Sequence, residues 1–163
     1  MFRRMASPIY PSCKYLMKFD GCSKGNPGHS GAGAVIYKNN NKNKNDYEEI
    51  WAGHQYVGHY KTNNEAEYSG LILGLQKAQE QNIKSILVCG DSQLIIRQMK
   101  REYKVKSPQL IDLFKHATEL AQGFDYIDFM HIYREHNQRA DELSNMGIRV
   151  LFEYEKNKSA TNK

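Results

Sequence analysis

Three strand-like segments come before the first helical pattern in this 163-residue chain. Runs of apolar, β-branched and aromatic residues predict strands over residues 15–19, 31–37 and 48–57. A polar, low-complexity stretch over residues 38–46 separates the second strand from the third and is typical of a hairpin loop. Because the three strands follow one another directly, they predict an antiparallel meander.

The rest of the chain alternates between helical and strand patterns. Thr62 and Glu65 have the spacing of a capping box, so the first helix should begin at about Asn63. The further predicted elements are a buried parallel strand over 85–89, helices from about residues 93 and 109, a strand over 126–133, and a last helix over 138–146 that stops at Gly147. This order predicts an α/β domain with a mixed five-stranded sheet, three antiparallel strands and then two parallel ones, flanked by helices.

The length of the chain suits one domain with one hydrophobic core. We place that domain at residues 14–148, between an N-terminal tail (1–13) and a polar C-terminal tail (149–163). No apolar run reaches about 18 residues, so a membrane span is not expected. The three cysteines form no CxxC pair, which argues against a structural zinc site and favours a reducing, intracellular location. The cytoplasm is the default location, with targeting to an organelle or the nucleus as the alternative.

Positive charge is in excess over the whole chain. Lysines and arginines number 23 against 18 acids, for a formal net charge of +5. Residues 97–106 alone carry five cations and one acid. A basic surface favours polyanions, so this segment is a candidate for phosphate contacts. A merely solvated helix end is the alternative interpretation.

Four acids occupy positions where a buried carboxylate would be costly. Asp20 follows the first predicted strand, Asp91 follows the apolar run 85–89, and Asp141 lies in the first turn of the last helix. Glu67 shares a helical stripe with Leu71, on the face expected to pack against the sheet. Each acid has an ordinary alternative, since Asp91 could cap a helix and Glu67 and Asp141 could interact with a helix dipole. Jointly these alternatives leave Asp20 and the buried stripe at Glu67 unexplained.

A divalent cation would resolve the repulsion within such a cluster. Hard cations prefer oxygen ligands, so four carboxylates suit magnesium or manganese better than zinc. Two such ions about 3.5–4 Å apart are a recurrent arrangement for phosphodiester hydrolysis.

Four segments that carry these acids also resemble a known family. They are DGCSKGNPG, TNNEAEYSGLILGL, GDSQLIIRQM and REHNQRADELSN, in this order. Together they resemble type 1 ribonuclease H over about residues 15–147. The resemblance implies the mixed α/β fold and an endoribonuclease that hydrolyses the RNA strand of RNA–DNA hybrids, leaving 5′-phosphate and 3′-hydroxyl ends. It implies that Asp20, Glu67, Asp91 and Asp141 form the catalytic tetrad and hold two Mg²⁺ ions, for which Mn²⁺ can substitute.

The resemblance also implies residues that bind the hybrid. The glycine-rich turn of the family follows the minor groove, which makes Asn26 the first candidate for reading the 2′-hydroxyl, beside Gly21 and Gly28. A plain β-turn is the alternative for this segment. Further substrate contacts are implied at Thr62, which matches a position that binds a DNA-strand phosphate, and at Asn63, Asn64 and Gln93.

Two departures from the family pattern stand out. Many members have a basic protrusion after the second helix, whereas here only about residues 102–108 join the helices, as in the compact branch of the family. The residues proposed to replace its phosphate contacts are Lys100, Arg101, Lys104 and Lys106. Many members also have a mobile histidine about ten residues before the last aspartate. His136 lies five residues before Asp141 and is a candidate assisting residue, whereas His131 falls inside a predicted strand.

Other functions remain open at this point. A nucleic-acid-binding module that has lost its chemistry would not need all four carboxylates. Integrases, transposases and junction nucleases share this fold but need a different acidic spacing. We expect a monomer with no membrane and no obligate protein partner, and an RNA–DNA hybrid as the substrate.

Overall fold

The computed structural model describes residues 10–11, 13–40 and 46–162. Within these residues the strands are β1 (Tyr15–Lys24), β2 (Gly28–Asn39), β3 (Tyr47–Lys61), β4 (Ser85–Gly90) and β5 (Tyr126–His131). The helices are α1 (Asn63–Glu80), α2 (Gln93–Met99), α3 (Pro108–Gln122) and α4 (Gln138–Thr161), with a 3-10 turn at Arg134–His136. The centre of the predicted hairpin loop, residues 41–45, and most of the predicted N-terminal tail lie outside the described residues.

The five strands form one mixed sheet in the order β3-β2-β1-β4-β5. The pairs β1–β2 and β2–β3 are antiparallel, and the pairs β1–β4 and β4–β5 are parallel. This confirms the predicted α/β architecture. The parallel register pairs Phe19 with Gly90, so the next residue along each strand, Asp20 and Asp91, meets the other at the same level of the sheet.

The first strand is longer than its apolar pattern predicts. The expectation that Asp20 follows the strand is wrong, because β1 continues to Lys24 and pairs with β2 along its whole length. Strand pairing needs only backbone hydrogen bonds, so polar side chains do not interrupt it. Asp20 is therefore held by neighbours on both sides, Gly33 in β2 and the end of β4.

The last helix is also longer than predicted. The prediction that it stops at Gly147 is wrong, because α4 continues to Thr161, through most of the predicted C-terminal tail. The glycine serves packing and not termination, since a Cβ at Gly147 would lie 2.3 Å from the carbonyl oxygen of Gln55 in β3. Beyond it, Ile148 is buried and the ring of Phe152 packs edge-on against His29 of β2 at 5.6 Å.

Helices α1 and α4 cover opposite faces of the sheet. Alternation along β2 places Ala34 and Ile36 in the main core with α1 and α3, and Val35 in a smaller cluster with Leu143 of α4. Tyr10 and Cys13, which the predicted boundary assigns to the N-terminal tail, pack against a third cluster beneath β1 and β4. Among the described helices, none combines the length and apolar character that a bilayer crossing requires.

Gly70 sets the distance between α1 and the sheet. A Cβ there would lie 2.4 Å from the carbonyl oxygen of Asp20 and 2.9 Å from that of Gly33. Both carbonyl groups belong to the backbone of central strands, so moving them would disturb the strand pairing. Gly70 therefore has a packing role, and the close approach of α1 to β1 places Glu67, one turn earlier, near Asp20.

We expect Gly70→Ala to lower the free energy of unfolding by about 1–3 kcal/mol, because the helix must shift away from β1. Chemical denaturation of both proteins would measure this loss. Gly58→Ala is the matched control, since a Cβ at Gly58 meets only the flexible Lys61 side chain. Equal stability of Gly70→Ala and Gly58→Ala would contradict the close-packing role of Gly70.

Candidate active site

Three of the four predicted carboxylates meet at one edge of the sheet. Asp20, Glu67 and Asp91 can each offer an oxygen such that these atoms lie within 4.8 Å of one another. They come from β1, from α1 and from the residue directly after β4. The parallel pairing of β1 with β4 and the close packing of α1 on β1 bring them together.

Asp20 is the most deeply buried of the group. Its side chain is 5% exposed, and its Oδ1 accepts a hydrogen bond from the Gly21 N–H at 2.8 Å. Burial and the nearby charges of Asp91, Glu67 and Asp141 raise its pKa to about 8, and the Gly21 hydrogen bond only partly opposes this rise. A cation beside Asp20 would favour the ionised carboxylate and so oppose this rise in its pKa.

Glu67 faces the sheet and has no part in capping its own helix. The capping box of α1 is formed by Thr62 and Glu65, whose carboxylate accepts the Thr62 N–H at 2.8 Å. Burial and the charge of Asp91 raise the pKa of Glu67 to about 7, while a hydrogen bond from Ser92 lowers it. The helix-dipole alternative for Glu67 therefore explains less than its contacts with the acid cluster do.

Asp91 is not the cap of α2. Ser92 holds that position, and its Oγ accepts the Ile95 N–H at 3.3 Å. Burial raises the pKa of Asp91, whereas a hydrogen bond from Asn137 and the positive charge of Arg134 lower it. The capping alternative is thus wrong for this residue.

Asp141 lies at the rim of the same cleft. It lines the cleft together with Asp20, Glu67 and Asp91, and its charge contributes to raising the pKa of Asp20. It is not one of the three residues within 4.8 Å of one another. We call this hollow the acidic cleft, and its lining residues are Asp20, Gly21, Cys22, Ser23, Lys24, Asn63, Glu67, Asp91, Arg134, Asp141 and Asn145.

Two residues beside the acids were not predicted from the sequence. Arg134 lines the acidic cleft from the 3-10 turn and acts on Asp91 by its charge. Asn137 is fully buried, and its Nδ2 donates to the Phe19 carbonyl at 2.9 Å while its Oδ1 has no partner. Both stand in the segment REHNQRAD, but a lone arginine or asparagine there gives no signal of burial or direction.

The two histidines differ in their surroundings. His136 ends the 3-10 turn, where its Nε2 lies 3.6 Å from Glu135 and its carbonyl accepts a hydrogen bond from Lys18. It is not among the residues that line the acidic cleft. His131 lies in β5, as predicted, but it is the last residue of a strand that was predicted to reach residue 133. Its Nε2 lies 3.2 Å from the carbonyl oxygen of Asp91.

The predicted hybrid-binding asparagines connect the glycine-rich turn to α1. The Asn63 N–H donates to Asn26 Oδ1 at 3.0 Å, and Asn63 Oδ1 accepts the Ser23 N–H at 2.8 Å. Asn26 has a positive φ of 32°, which an asparagine tolerates better than most residues. Gly21 lines the acidic cleft and Gly28 begins β2 beyond the turn.

A second hollow, the basic cleft, lies beyond this connection. Its lining residues are Asn26, Thr62, Asn64, Leu94, Gln98, Lys104, Lys106, Ser107, Gln109 and Leu110. Five residues predicted to contact the hybrid therefore line one hollow: Asn26, Thr62, Asn64, Lys104 and Lys106. Gln93 is exposed beside Leu94 at the start of α2.

The other two predicted cations lie apart from the basic cleft. Arg101 lines a neighbouring hollow between the α2–α3 connection and α3, and Lys100 lines one near β5. No helix forms between Met99 and Pro108, in agreement with the predicted absence of a separate protrusion from this part of the chain.

Comparisons with known proteins agree with this architecture. A family model described as reverse transcriptase-like matches residues 18–147. Ribonuclease HI of Halobacterium salinarum is 36% identical over 130 residues, which cover 80% of this chain and 62% of that protein. A bifunctional protein of Mycobacterium tuberculosis is 37% identical over 132 residues, 81% of this chain but 35% of its own length. The chain thus spans less than two thirds of these relatives.

Solved structures extend the likeness to whole domains. The crystal structure of the ribonuclease H1 from Halobacterium salinarum has a TM-score of 0.76 at 34% identity, covering 83% of this chain and 97% of that one. The ribonuclease H1 called LC11, solved with an RNA/DNA hybrid, has a TM-score of 0.75 at 35% identity and covers 85% and 99%. The chain belongs to the type 1 ribonuclease H family.

Proposed function

We propose that this protein is an endoribonuclease that hydrolyses the RNA strand of RNA–DNA hybrids and leaves 5′-phosphate and 3′-hydroxyl ends. The observation that carries the proposal is the meeting of Asp20, Glu67 and Asp91 within 4.8 Å in a chain of this family. The hybrid complex of the LC11 relative supports the choice of substrate. The proposed catalytic group is completed by Asp141 at the rim.

The donor set fits divalent cations. The carboxylates of Asp20, Glu67 and Asp91 offer only oxygen, and a divalent cation would offset the burial and the neighbouring charges that raise the pKa values of Asp20 and Glu67. We assign Asp20, Glu67, Asp91 and Asp141 as the residues that would hold two Mg²⁺ ions, with Mn²⁺ as a substitute. When bound, such ions would activate the attacking water and stabilise the leaving 3′ oxygen.

The two clefts suggest how a hybrid would lie. The acidic cleft would receive the scissile phosphate of the RNA strand, and the basic cleft would receive a phosphate of the DNA strand beside Thr62 and Lys106. Between the two clefts, the Asn63 N–H donates to Asn26 Oδ1 and ties the turn to α1. Amide groups of this turn would then face the minor groove of the hybrid, where they could read a 2′-hydroxyl.

Arg134 is better placed than His136 to assist cleavage. Its guanidinium is exposed, borders the acidic cleft and lowers the pKa of Asp91. A cation there would stabilise the negative charge of the phosphate during cleavage and favour the ionised form of Asp91. His136 has no comparable position, because its ring lies beside Glu135.

The first test is cleavage of an RNA strand labelled at its 5′ end and annealed to DNA, with single-stranded RNA, duplex DNA and a four-way junction as other substrates. We expect Mg²⁺-dependent cleavage of the hybrid alone. Asp91→Asn should lower the rate by at least about 100-fold while folding is retained, because one ligand of the cluster loses its charge.

Tight hybrid binding without cleavage, with Mn²⁺ also tried, would favour a binding module. Cleavage of the junction in preference to the hybrid would indicate a junction nuclease.

The second test compares Arg134→Gln with His136→Ala. We expect Arg134→Gln to lower the rate of hybrid cleavage roughly tenfold, because the phosphate loses a nearby cation. We expect His136→Ala to stay within about twofold of the parent, since a role through proton transfer would cost far more. Single-turnover kinetics would separate chemistry from product release. A larger loss for His136→Ala than for Arg134→Gln would reverse the two assignments.

The third test measures stability without metal. The raised pKa values of Asp20 and Glu67 mean that the folded state binds more protons than the unfolded state between about pH 4 and pH 8, so stability should fall as pH rises through this window. Asp20→Asn should raise the free energy of unfolding at pH 8 in EDTA by a few kcal/mol, since one pKa unit is worth about 1.4 kcal/mol.

Denaturation at pH 5 and pH 8, with and without Mg²⁺, would check this expectation. The parent protein should gain stability from Mg²⁺, and Asp20→Asn should gain much less. Asp112→Asn is a suitable control, because Asp112 is an exposed aspartate on α3 and does not line the acidic cleft. A parent protein whose stability in EDTA rises from pH 5 to pH 8 would contradict the raised pKa values.

A further inference from the structure

A third hollow adjoins the basic cleft on the side away from the acids. We call it the outer cleft, and it lies between the α2–α3 connection and α3 with a volume of about 380 Å³, a size common for ligand sites. It shares two lining residues, Gln98 and Lys104, with the basic cleft. The two hollows therefore form one groove that runs from the start of α1 to α3.

The outer cleft combines cations with an apolar floor. Three cations line it, Arg101, Lys104 and Lys115, and no acid is among its lining residues. Its apolar side includes Phe114 and Ile111, the latter 37% exposed. Phosphate-binding cations next to apolar and aromatic surface are the features with which proteins bind single-stranded nucleic acid.

Tyr103 supplies an aromatic face at the mouth of this cleft. Its side chain is 47% exposed, and the guanidinium of Arg97 lies 5.2 Å from the centre of its ring. The Arg97 side chain also donates to the Tyr103 hydroxyl at 3.2 Å, which fixes the ring in place. A ring held in this way can stack on an unpaired base, with the nearby cation adding to the attraction.

The backbone after α2 directs these side chains into the groove. Arg101 has a φ of 62°, a left-handed conformation that is uncommon for this residue type. The N–H groups of Glu102 and Tyr103 both donate to the Arg97 carbonyl, at 2.9 and 3.3 Å. The turn places the Arg101 guanidinium 6.0 Å from the Phe114 ring, inside the outer cleft.

We propose that the outer cleft binds the single-stranded continuation of the DNA strand where that strand extends beyond the RNA–DNA hybrid. This inference rests on the proposed function, which places a DNA-strand phosphate in the basic cleft. The groove continues from that phosphate to Lys104 and Lys115. An unpaired base is required for stacking on Tyr103, because the bases of a duplex already stack on one another. The protein would then bind most tightly at junctions between hybrid and single-stranded DNA.

The test measures binding on the cleavage-deficient Asp91→Asn background by fluorescence anisotropy. The probes are a blunt hybrid and the same hybrid with about six unpaired nucleotides on the 3′ or 5′ end of the DNA strand, or on either end of the RNA strand. We expect one DNA overhang to lower Kd about fivefold or more. Tyr103→Leu with Lys115→Gln should remove this gain and leave the Kd of the blunt hybrid within about twofold.

Lys84→Gln is the matched control. Lys84 is an exposed lysine just before β4, at the opposite end of that strand from Asp91, and it should keep the full gain. Lys115→Gln alone should also reduce the salt dependence of overhang binding by about one counterion. Both changed residues of the double variant are exposed, so circular dichroism should show an unchanged fold.

Three results would overturn the proposal. They are no gain from either DNA overhang, a gain from RNA overhangs alone, and a gain that survives the double variant. Binding of an oligoglutamate peptide that depends on Tyr103 and Lys115, without any gain from DNA overhangs, would reassign the cleft to an acidic protein partner. Failure of the proposed function is separate, because it would appear as absent cleavage of the blunt hybrid by the parent protein.

Discussion

The crowding of one buried and two half-buried carboxylates at one edge of the sheet is the constraint on which this structure depends. Burial is the largest cause of the raised pKa values of Asp20, Glu67 and Asp91, and the charges of neighbouring acids raise these values further. Each acid belongs to, or directly follows, an element that is held in place by its neighbours. Two of them continue paired central strands, and the third sits on a helix packed against β1 at Gly70. Core residues such as Leu71 and Leu75, each worth about 1.5–3 kcal/mol on burial, hold that helix down.

The main outline of the fold was predictable because it depends on periodic apolar patterns. The order of strands and helices along the chain, the parallel β4 and the capped start of α1 are all confirmed. The ends of β1 and α4 were not predictable in the same way. β1 continues through polar residues because its partner strand supplies the hydrogen bonds, and Gly147 permits close packing on Gln55 where a helix stop was expected. Both errors arise from tertiary contacts that a single segment does not encode.

The acidic residues of the candidate site could be predicted from the sequence, whereas two residues beside them could not. Acids next to apolar strand segments and on a helical stripe that packs against the sheet are unusual enough to be found from sequence. Arg134 and Asn137 were missed because their importance lies in direction and burial. Only the structure shows that Arg134 borders the acidic cleft. Likewise, only the structure shows that Asn137 is fully buried and donates to the Phe19 carbonyl. The roles of all these residues in catalysis stay predictions.

Charge separation along one surface connects the site with the proposed substrate. Acids gather in one cleft while Lys104, Lys106, Arg101 and Lys115 gather along the groove beyond Asn26. A polyanion would be repelled by the first region unless cations fill it, and would be attracted by the second whether or not they do. On the proposed function, binding and chemistry would therefore respond differently to metal. The groove would retain the DNA strand in the absence of Mg²⁺, and only the acidic cleft would require the ions before an RNA phosphate could approach.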